Sequence, residues 1–425
     1  MKRYIEPDRA LWPALTERVM TDDVVIESRV NAILERVRRD GDKALIELAS
    51  EIDKVDLSEG IEVSQSEIAE AAAVVSEQLK EAVKEAYDNI FKFHQAQTFA
   101  SVSVETAPGV RCMQKAVPIR KVGLYIPGGS APLFSTVLML AVPAKVAGCS
   151  EVVLCTPCGR DGKVAPAVLY AASVCGIDRI FKAGGAQAVA AMAYGTETVP
   201  AVDKIFGPGN RYVTKAKEMV SRKVAIDMPA GPSEVLVMAD ESAVPAFVAS
   251  DLLSQAEHGP DSQVILVCPS ECIADKVQAE VDRQLELLPR KETAVKALEQ
   301  SRTIVMQSAD TQVEFVNMYA PEHLIISMSN PWEVAERITA AGSVFLGNYT
   351  PESAGDYASG TNHTLPTSGW ARSMSGVNLD SFIRKITYQE ITCEGIRQLG
   401  KTIVTMAQAE GLDAHANAAS IRMKI

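Results

Sequence analysis

The amino-acid sequence predicts an α/β protein with two parallel, doubly wound sheets. Short apolar strands alternate with helices from residue 117 to 240, and the alternation resumes after residue 234. Glycine-rich turns follow several of these strands. This order of elements is typical of parallel sheets that helices cover on both faces. We therefore expect two Rossmann-like domains, joined near residues 228–240.

Composition and charge restrict the class of protein. Of the 425 residues 47% are apolar, so the chain can bury large cores. The net charge is −12, and no basic block occurs, which argues against a nucleic-acid partner. No window approaches the ~20 apolar residues of a membrane span. The polar start over residues 1–8 is unlike a secretory signal.

The eight cysteines are scattered along the chain, and we expect them to be reduced in a cytoplasmic protein. Cys155 and Cys158 have the spacing of a redox motif, and Cys268 with Cys272 could bind a metal. Neither pair has a second pair at zinc-site spacing, so ordinary thiols are the favoured interpretation.

The first hundred residues are predicted to be mostly helical. Residues 1–50 form helices with a break at residues 40–42. Apolar residues at three- and four-residue steps predict one long helix over residues 66–97. His94 lies at its end beside two phenylalanines, a setting that favours packing over chemistry.

The middle of the chain is predicted to form one parallel sheet, with strands at residues 122–126, 151–155, 179–182 and 203–206 and helices at residues 133–146, 166–174, 186–194 and 210–220. Glycine-rich turns follow three strands, at residues 127–129, 184–187 and 207–210. Glycine beyond the carboxyl end of a strand lets the backbone approach a phosphate. Because no G-x-G-x-x-G pattern occurs there, ordinary turns remain an equal alternative.

The remainder is predicted to form a second parallel sheet, with strands at residues 234–238, 263–267, 303–306, 323–326 and 343–346 and helices at residues 244–258, 274–288, 311–319 and 332–338. Residues 350–378 are rich in Gly, Ser, Thr and Asn, and a loop of this length usually has a function. Residues 380–425 are predicted to form a small tail, with a strand around residues 386–388, a helix over residues 395–409 and a last helix after Gly411.

The helix predicted over residues 244–258 has two faces. An apolar stripe with a four-residue repeat forms one of them. Asp251, Gln255 and His258 are spaced four and three residues apart and share the other face. Their carboxylate, amide oxygen and imidazole could hold a divalent metal. A solvated polar face explains the same spacing, because a histidine at the C-terminal end of a helix interacts favourably with the helix dipole.

Polar residues in other segments could complete a metal site. Gln255, His258, Asp356 and His415 would together supply mixed nitrogen and oxygen ligands, which zinc accepts. These ligands come from three separate segments and form no local motif, so the sequence leaves their convergence open.

Glu322 and His323 are adjacent at the start of a predicted strand, where both can reach one cleft. A histidine base beside a glutamate that activates water is a sensible catalytic pair. A surface glutamate beside a half-buried histidine is the alternative that the residues alone leave open.

Eight segments resemble the histidinol dehydrogenase family, and together they span the chain. They are VGLYIPGG (122–129), GGAQA (184–188), DKIFGPGN (203–210), DMPAGPSEVLV (227–237), DLLSQAEHGPDSQ (251–263), YAPEHL (319–324), ESAGDYASGTNHTLPT (352–367) and EGLDAHANA (410–418). Several are long and have reactive residues at their centres. The resemblance implies NAD-dependent oxidation of L-histidinol to L-histidine through L-histidinaldehyde, the last step of histidine biosynthesis.

The resemblance also implies one Zn²⁺ in each subunit, which orients the substrate and is held by Gln255, His258, Asp356 and His415. The residues implied to bind substrate are Ser233, Gln255, His258, His323, Asp356, Glu410 and His415.

Catalytic and cofactor roles follow from the same resemblance. His323 would remove the alcohol proton as hydride passes to NAD⁺, and Glu322 would activate water on the aldehyde before a second NAD⁺ takes the second hydride. Tyr125, Gln187 and Asn210 are implied to bind NAD. His363 is a further candidate for contact with substrate, and Asp251 could orient His258.

The implied assembly is an intertwined homodimer in which each tail reaches the partner's active site, so that Glu410 and His415 would serve the other subunit. With the predicted elements this gives four parts. They are an N-terminal helical arm (1–24), a discontinuous α/β domain (25–121 with 238–378), an NAD-binding α/β domain (122–237) and a tail domain (379–425).

Three rival functions fit part of the pattern. A zinc hydrolase would use the same ligands with a glutamate near water. An aldehyde dehydrogenase would need a covalent cysteine, for which Cys112, Cys149 and Cys155 are candidates. A non-catalytic ligand-binding protein would have no need for a glutamate that activates water.

Overall fold

The computed structural model of the protein describes residues 1–18, 24–128, 132–229 and 231–424. Gly129, in the predicted turn at residues 127–129, lies outside this range, and so does part of the predicted arm at residues 1–24. Among the described helices, none combines the length and the apolar character that crossing a membrane requires.

The strands of the described chain belong to three sheets. In chain order they are β1 (Lys2–Ile5), β2 (Val102–Ala107), β3 (Val110–Pro118), β4 (Lys121–Tyr125), β5 (Glu151–Thr156), β6 (Ile180–Lys182), β7 (Lys204–Phe206), β8 (Ala225–Ile226), β9 (Glu234–Ala239), β10 (Gln263–Cys268), β11 (Arg302–Val305), β12 (His323–Ser327), β13 (Ser343–Leu346) and β14 (Ile383–Ile391).

Helices connect most of these strands. The α-helices of the described chain are α1 (Trp12–Leu15), α2 (Val24–Leu48), α3 (Gln65–Val74), α4 (Glu77–Gln95), α5 (Phe134–Ala147), α6 (Pro166–Val174), α7 (Gly185–Tyr194), α8 (Arg211–Val220), α9 (Pro245–Ala256), α10 (Glu271–Leu285), α11 (Lys291–Glu299), α12 (Ala309–Tyr319), α13 (Pro331–Ala335), α14 (Glu352–Tyr357), α15 (Cys393–Ala409) and α16 (Asp413–Arg422).

The six-stranded sheet is parallel, in the order β1-β11-β10-β9-β12-β13. Successive residues of β9 point into two cores, with Val235 on one side and Leu236 on the other. Helices α9, α10 and α11 cover the first core, and α1, α12 and α13 cover the second. Burial on both faces explains why the central strands are continuous apolar runs.

The five-stranded sheet is also parallel, in the order β6-β5-β4-β7-β8. Helices α3, α4, α5 and α6 pack on one face, and α2, α7 and α8 pack on the other. Two parallel sheets with helices on both faces confirm the predicted fold class.

The helices of residues 24–95 contact those of the five-stranded sheet. Helix α2 packs on α7 and α8, α3 packs on α6, and α4 packs on α5. The predicted grouping of residues 25–121 with 238–378 did not include this packing. The domain boundaries themselves stay a prediction.

Two local predictions in the N-terminal region were wrong. Residues 2–5 form β1, because their backbone pairs with β11 at the edge of the six-stranded sheet. The helix predicted over residues 66–97 is two helices, since Val75 is extended and the Ser76 side chain accepts a hydrogen bond from the Leu79 N–H at 3.3 Å. The predicted break at residues 40–42 is present, with Gly41 at φ +53°.

The tail has the predicted strand and two helices. Strand β14 pairs antiparallel with β3, which pairs in turn with β2, to form the third sheet. Helices α15 and α16 pack on each other. Their outer surface exposes large apolar side chains, which are Met406, Leu412 and Ile421.

Candidate active site

Helix α9 presents the two faces that its spacing predicts. Val248, Leu252 and Ala256 are buried in the core of the six-stranded sheet. Asp251 and Gln255 are buried as well, on the polar face. His258 lies two residues beyond the end of the helix and is exposed.

Glu322 and His323 meet the backbone of Glu234 at the amino ends of β12 and β9. The Glu322 carboxylate accepts the Glu234 N–H at 2.8 Å, and His323 Nδ1 lies 3.2 Å from the Glu234 carbonyl oxygen. A carbonyl can only accept, so Nδ1 bears a proton, and Nε2 is the nitrogen that gains or loses the second proton. Nε2 is buried and has no hydrogen-bond partner among the described residues.

Helix α14 directs two carboxylates at this imidazole. Glu352 and Asp356 are four residues apart, so they lie on one face of the helix. The Glu352 side chain is 1% exposed. The predicted functional loop at residues 350–378 thus begins with a helix that positions acids, and sequence reasoning missed Glu352. Its spacing from Asp356 was the signal that could have found it.

Three carboxylates surround the His323 ring. Nδ1 lies 3.6 Å from Glu322 Oε2 and 3.8 Å from Glu352 Oε1, and Nε2 lies 3.7 Å from Asp356 Oδ1. Ligand atoms of His323, Glu352 and Asp356 all lie within 4.8 Å of one another. This cluster is at the amino ends of its strands, whereas ligands of open α/β sheets usually bind at the carboxyl ends.

Burial and charge perturb the ionisation of this cluster. Burial raises the pKa of Glu322, and it raises the pKa of Glu352 well above its ordinary value. Burial opposes a charged His323, but the carboxylates of Glu352 and Glu322 outweigh it and raise the His323 pKa well above its usual range. Burial also opposes the Asp356 carboxylate, yet the neighbouring imidazole holds its pKa low.

Gln255 and Asp251 support α14 from α9. When the Gln255 amide is oriented to satisfy both ends, it donates to Glu352 Oε2 and accepts the Glu234 N–H, each at 3.2 Å. The Asp251 carboxyl accepts the Glu352 N–H, and burial raises its pKa to about 7. Asp251 therefore meets the first turn of α14, whereas the sequence interpretation directed it at His258.

Two further histidines lie near Asp356. His363 Nδ1 is 2.9 Å from the Asp356 carbonyl oxygen, and its Nε2 is 3.1 Å from Thr136 Oγ1 on α5. Burial lowers the pKa of His363. His258 is close enough that its charge helps lower the pKa of Asp356. Four of the predicted site residues thus converge, namely Gln255, Glu322, His323 and Asp356, and His258 lies nearby on the exposed side.

The other residues predicted for substrate or metal are spread more widely. Ser233 is half-buried directly before β9, and its carbonyl accepts the Gln263 N–H at 3.2 Å. Glu410 and His415 are exposed on the tail, and the metal-ligand cluster of the described residues does not include them. Among the described residues no hydrogen bond or ion pair joins His415 to Asp356.

The donor set fits a divalent cation. Carboxylate oxygens, an amide oxygen and imidazole nitrogens are ligands that zinc accepts. Three carboxylates, two of them buried and that of Asp356 half-buried, face one imidazole, so the cluster would have an excess of negative charge if all three were ionised. Buried charge is costly unless it is neutralised. The unpartnered Nε2 of His323 leaves an open lone pair beside Asp356.

The three residues predicted to bind NAD lie at the carboxyl edge of the five-stranded sheet. Tyr125 ends β4, and its hydroxyl accepts the Gly185 N–H at 3.1 Å. Burial raises the Tyr125 pKa to about 12. Gln187 donates to Asp53 Oδ2 at 3.1 Å, and Asn210 caps α8. The edge combines bare backbone with neutral polar groups, which suits a dinucleotide.

The cysteines are all free. Burial raises the pKa of Cys149 and of Cys155 to about 12, so both stay protonated near neutral pH. A protonated thiol is a poor nucleophile. These two positions therefore do not suit the covalent cysteine of the aldehyde dehydrogenase rival.

A buried ion pair fixes the side chain of Glu234, the first residue of β9. Arg18 donates to both carboxylate oxygens of Glu234, at 3.0 and 2.7 Å, and lies 3.5 Å above the Tyr319 ring. The backbone of the same Glu234 holds Glu322 and His323. Arg18 thus fixes the residue whose backbone holds Glu322 and His323.

Comparison with known proteins gives one consistent result. The family model described as histidinol dehydrogenase matches residues 16–423. A histidinol dehydrogenase of Bacteroides thetaiotaomicron is 57% identical, and the alignment covers 100% of this chain and 99% of that protein. One of Vibrio parahaemolyticus is 54% identical over 97% of this chain and 95% of its own length.

A solved structure agrees with these sequence relatives. The crystal structure of histidinol dehydrogenase from Elizabethkingia anophelis superposes with a TM-score of 0.97 at 53% identity. The match covers 100% of this chain and 98% of that chain.

The Arg18–Glu234 pair generates a stability prediction. Arg18→Met leaves a carboxylate that is 2% exposed without its partner, so the free energy of unfolding should fall by about 3–5 kcal/mol. The matched control is Arg9→Met, whose partner Glu314 is exposed, and it should cost less than about 1 kcal/mol. Urea denaturation of both variants measures this, and equal losses would contradict it.

Proposed function

The chain belongs to the histidinol dehydrogenase family, and from this premise we propose how its residues perform the reaction. The protein is an oxidoreductase that acts on a small molecule and catalyses the final step of histidine biosynthesis. We propose that it oxidises L-histidinol through L-histidinaldehyde to L-histidine, with two NAD⁺ accepting four electrons. The main support is the buried cluster of Glu322, His323, Glu352 and Asp356.

His323 is the proposed general base for the alcohol. Its Nδ1–H is committed to the Glu234 carbonyl, which leaves Nε2 to take the proton. A base must be neutral before it acts, yet the carboxylates favour a protonated His323. Positive charge from another source is therefore needed to balance those carboxylates.

Zinc is the proposed source of that charge, one ion in each subunit, held by Gln255, His258, Asp356 and His415. When bound, Zn²⁺ would serve as a template for the amino and imidazole groups of the substrate. The Gln255 amide oxygen has two lone pairs, so it can accept the Glu234 N–H with one and offer the other to the metal. The Gln255 amide NH₂ lies close enough to donate to Glu352, whether or not the amide oxygen binds the metal.

Glu322 is the proposed base for the second oxidation. One carboxylate oxygen accepts the Glu234 N–H, and the other is left to accept a proton from water. Removing that proton lets water add to the aldehyde carbonyl. The same residues then receive the hydrate, so the reactive aldehyde can stay bound between the two oxidations.

Tyr125, Gln187 and Asn210 are the proposed contacts for NAD. The cofactor would accept hydride, and the protein would position its nicotinamide ring. Tyr125 is a neutral phenol here and Asn210 heads a helix, so both can face a phosphate or a ribose without charge repulsion.

A homodimer with exchanged tails is the proposed assembly. Glu410 and His415 lie on a tail whose exposed apolar residues include Met406 and Leu412. Apolar side chains clustered on one surface are typical of an interface. A partner subunit's tail would bring His415 to Asp356 and Glu410 to the substrate. The scattered free cysteines agree with a cytoplasmic location, which is part of this proposal.

The proposed zinc ligands can be tested by measuring the zinc content of variants, with no need to measure activity. His258→Asn should weaken zinc by more than the roughly 10–100-fold that loss of an outer-shell partner costs, because it removes a ligand. The adjacent Glu257→Gln is the control and should keep zinc. Mass spectrometry of the zinc content after dialysis compares the two variants. Undiminished zinc in His258→Asn would sink the ligand assignment.

The two oxidations can be separated at Glu322. Glu322→Gln keeps an oxygen for the Glu234 N–H but cannot take a proton from water. Oxidation of added L-histidinaldehyde should therefore fall by about 10²–10⁴-fold, and the first hydride transfer from L-histidinol should fall much less. Single-turnover formation of NADH with each substrate measures the two steps. Equal losses in both would rule out the proposed division between Glu322 and His323.

Shared sites can be tested by mixing inactive subunits. Glu322→Gln and His415→Asn should each inactivate the homodimer. A mixed dimer contains one site with both native residues, so random exchange should restore about a quarter of wild-type activity. Mixing Glu322→Gln with His258→Asn is the control for an assembly effect, and it should restore no activity, because both substitutions lie in the body and every site of the mixed dimer then has one of them. No recovery in the first mixture would place His415 in its own subunit's site.

A further inference from the structure

A buried ion pair lies behind the turn at residues 207–210. Lys217 Nζ on α8 contacts Asp227 Oδ1, and the two side chains are only 3% and 1% exposed. Neither residue has a role in the reaction proposed above. An apolar pair of similar size would usually be as stable as a buried ion pair, so stability alone does not explain it.

Both polar groups of the Gly207 backbone are held by this pair. Lys217 Nζ donates to the Gly207 carbonyl at 2.9 Å, and the Gly207 N–H donates to Asp227 Oδ2 at 2.8 Å. Asp227 Oδ1 also accepts the Met228 N–H at 2.7 Å. One charged pair therefore joins three segments, namely the end of β7, the middle of α8 and the chain after β8.

The turn held in this way presses against β4. Gly207 has φ +128°, and a Cβ there would lie 2.1 Å from the Tyr125 carbonyl oxygen. Three residues later, Asn210 caps α8 by accepting the N–H groups of Tyr212 and Val213 at 3.0 and 3.2 Å. The position of Asn210 relative to Tyr125 thus depends on how Gly207 is held.

We propose that Lys217 and Asp227 are positioning residues that hold the turn at residues 207–210 in the geometry that receives NAD. The inference rests on the proposed function, in which Tyr125 and Asn210 contact the cofactor. Each hydrogen bond to the pair involves a charged group in a buried site, where such bonds are strongest. A turn fixed before the cofactor arrives loses less conformational entropy on binding.

The test removes the pair in the zinc-loaded full-length enzyme. Lys217→Met/Asp227→Leu leaves no unpaired buried charge, and Asp227→Asn is the milder second variant. Lys204→Met is the matched control, because Lys204 is a half-buried lysine on β7 whose Nζ donates to the Ser381 carbonyl at 2.9 Å and not to the turn. Amide hydrogen exchange at residues 207–213 without cofactor reports on the turn. Fluorescence titration with NADH reports on binding.

The double variant should lose exchange protection at residues 207–213 and bind NADH at least about tenfold more weakly, since hydrogen bonds to charged groups are lost. The KM for NAD should rise, while kcat at saturating NAD and the KM for L-histidinol stay unchanged. Asp227→Asn should show a smaller effect in the same direction, and it decides the question if the double variant does not fold. Lys204→Met should behave as wild type in all five measurements.

Two other outcomes would overturn the inference for different reasons. If protection at residues 207–213 is unchanged in both variants, the pair does not hold the turn. The proposed NAD site would still stand if NADH increases protection of the same amides in the wild type. If protection is lost but NADH affinity is not, and NADH leaves the wild-type amides unaffected, the turn is not a cofactor site and the proposed function fails there too.

Discussion

The backbone of Glu234 is the point on which the catalytic arrangement depends. Its N–H and carbonyl orient Glu322 and His323, while its side chain is paired with Arg18. Around this residue, burial adds a free-energy cost for every further ionised carboxylate. Glu352 and Asp356 are nevertheless directed at the same imidazole. An arrangement so rich in acids is stable only with compensating positive charge, which protons supply in the isolated chain and a cation would supply in the working enzyme.

Sequence periodicity predicted the parts of the fold that local burial determines. Helix α9 and the central strands were found because each buries a regular pattern of apolar residues. Strand β1 was missed, since its pairing with β11 is a backbone interaction across some three hundred residues. The break before α4 was missed because a single capping serine outweighed a continuous apolar pattern.

The site was predictable to a similar degree. Glu322 and His323 are neighbours in sequence, so their pairing needed little tertiary information. Glu352 escaped notice because an acid in a polar loop looks solvated until the helix that buries it is known. Spacing grouped Gln255 with His258 on one helix face, whereas their convergence with Asp356 and His415 was implied only by the family resemblance. His415 shows why, since local pattern places it on a tail helix and does not say which chain that helix serves.

The segment at residues 361–368 contacts elements of both parallel sheets. At one end His363 contacts Thr136 on α5, the helix that follows the proposed NAD strand β4. At the other end the Ser368 N–H donates to Glu234 Oε1 at 2.7 Å. Hydride moves only between atoms in near contact, so a small error in placement is costly. The proposed cofactor edge and the proposed substrate site at the acid cluster can cooperate only if such a connection holds them in a fixed relative position. The polar composition that marked this segment as a loop is what lets it hydrogen-bond to both sheets.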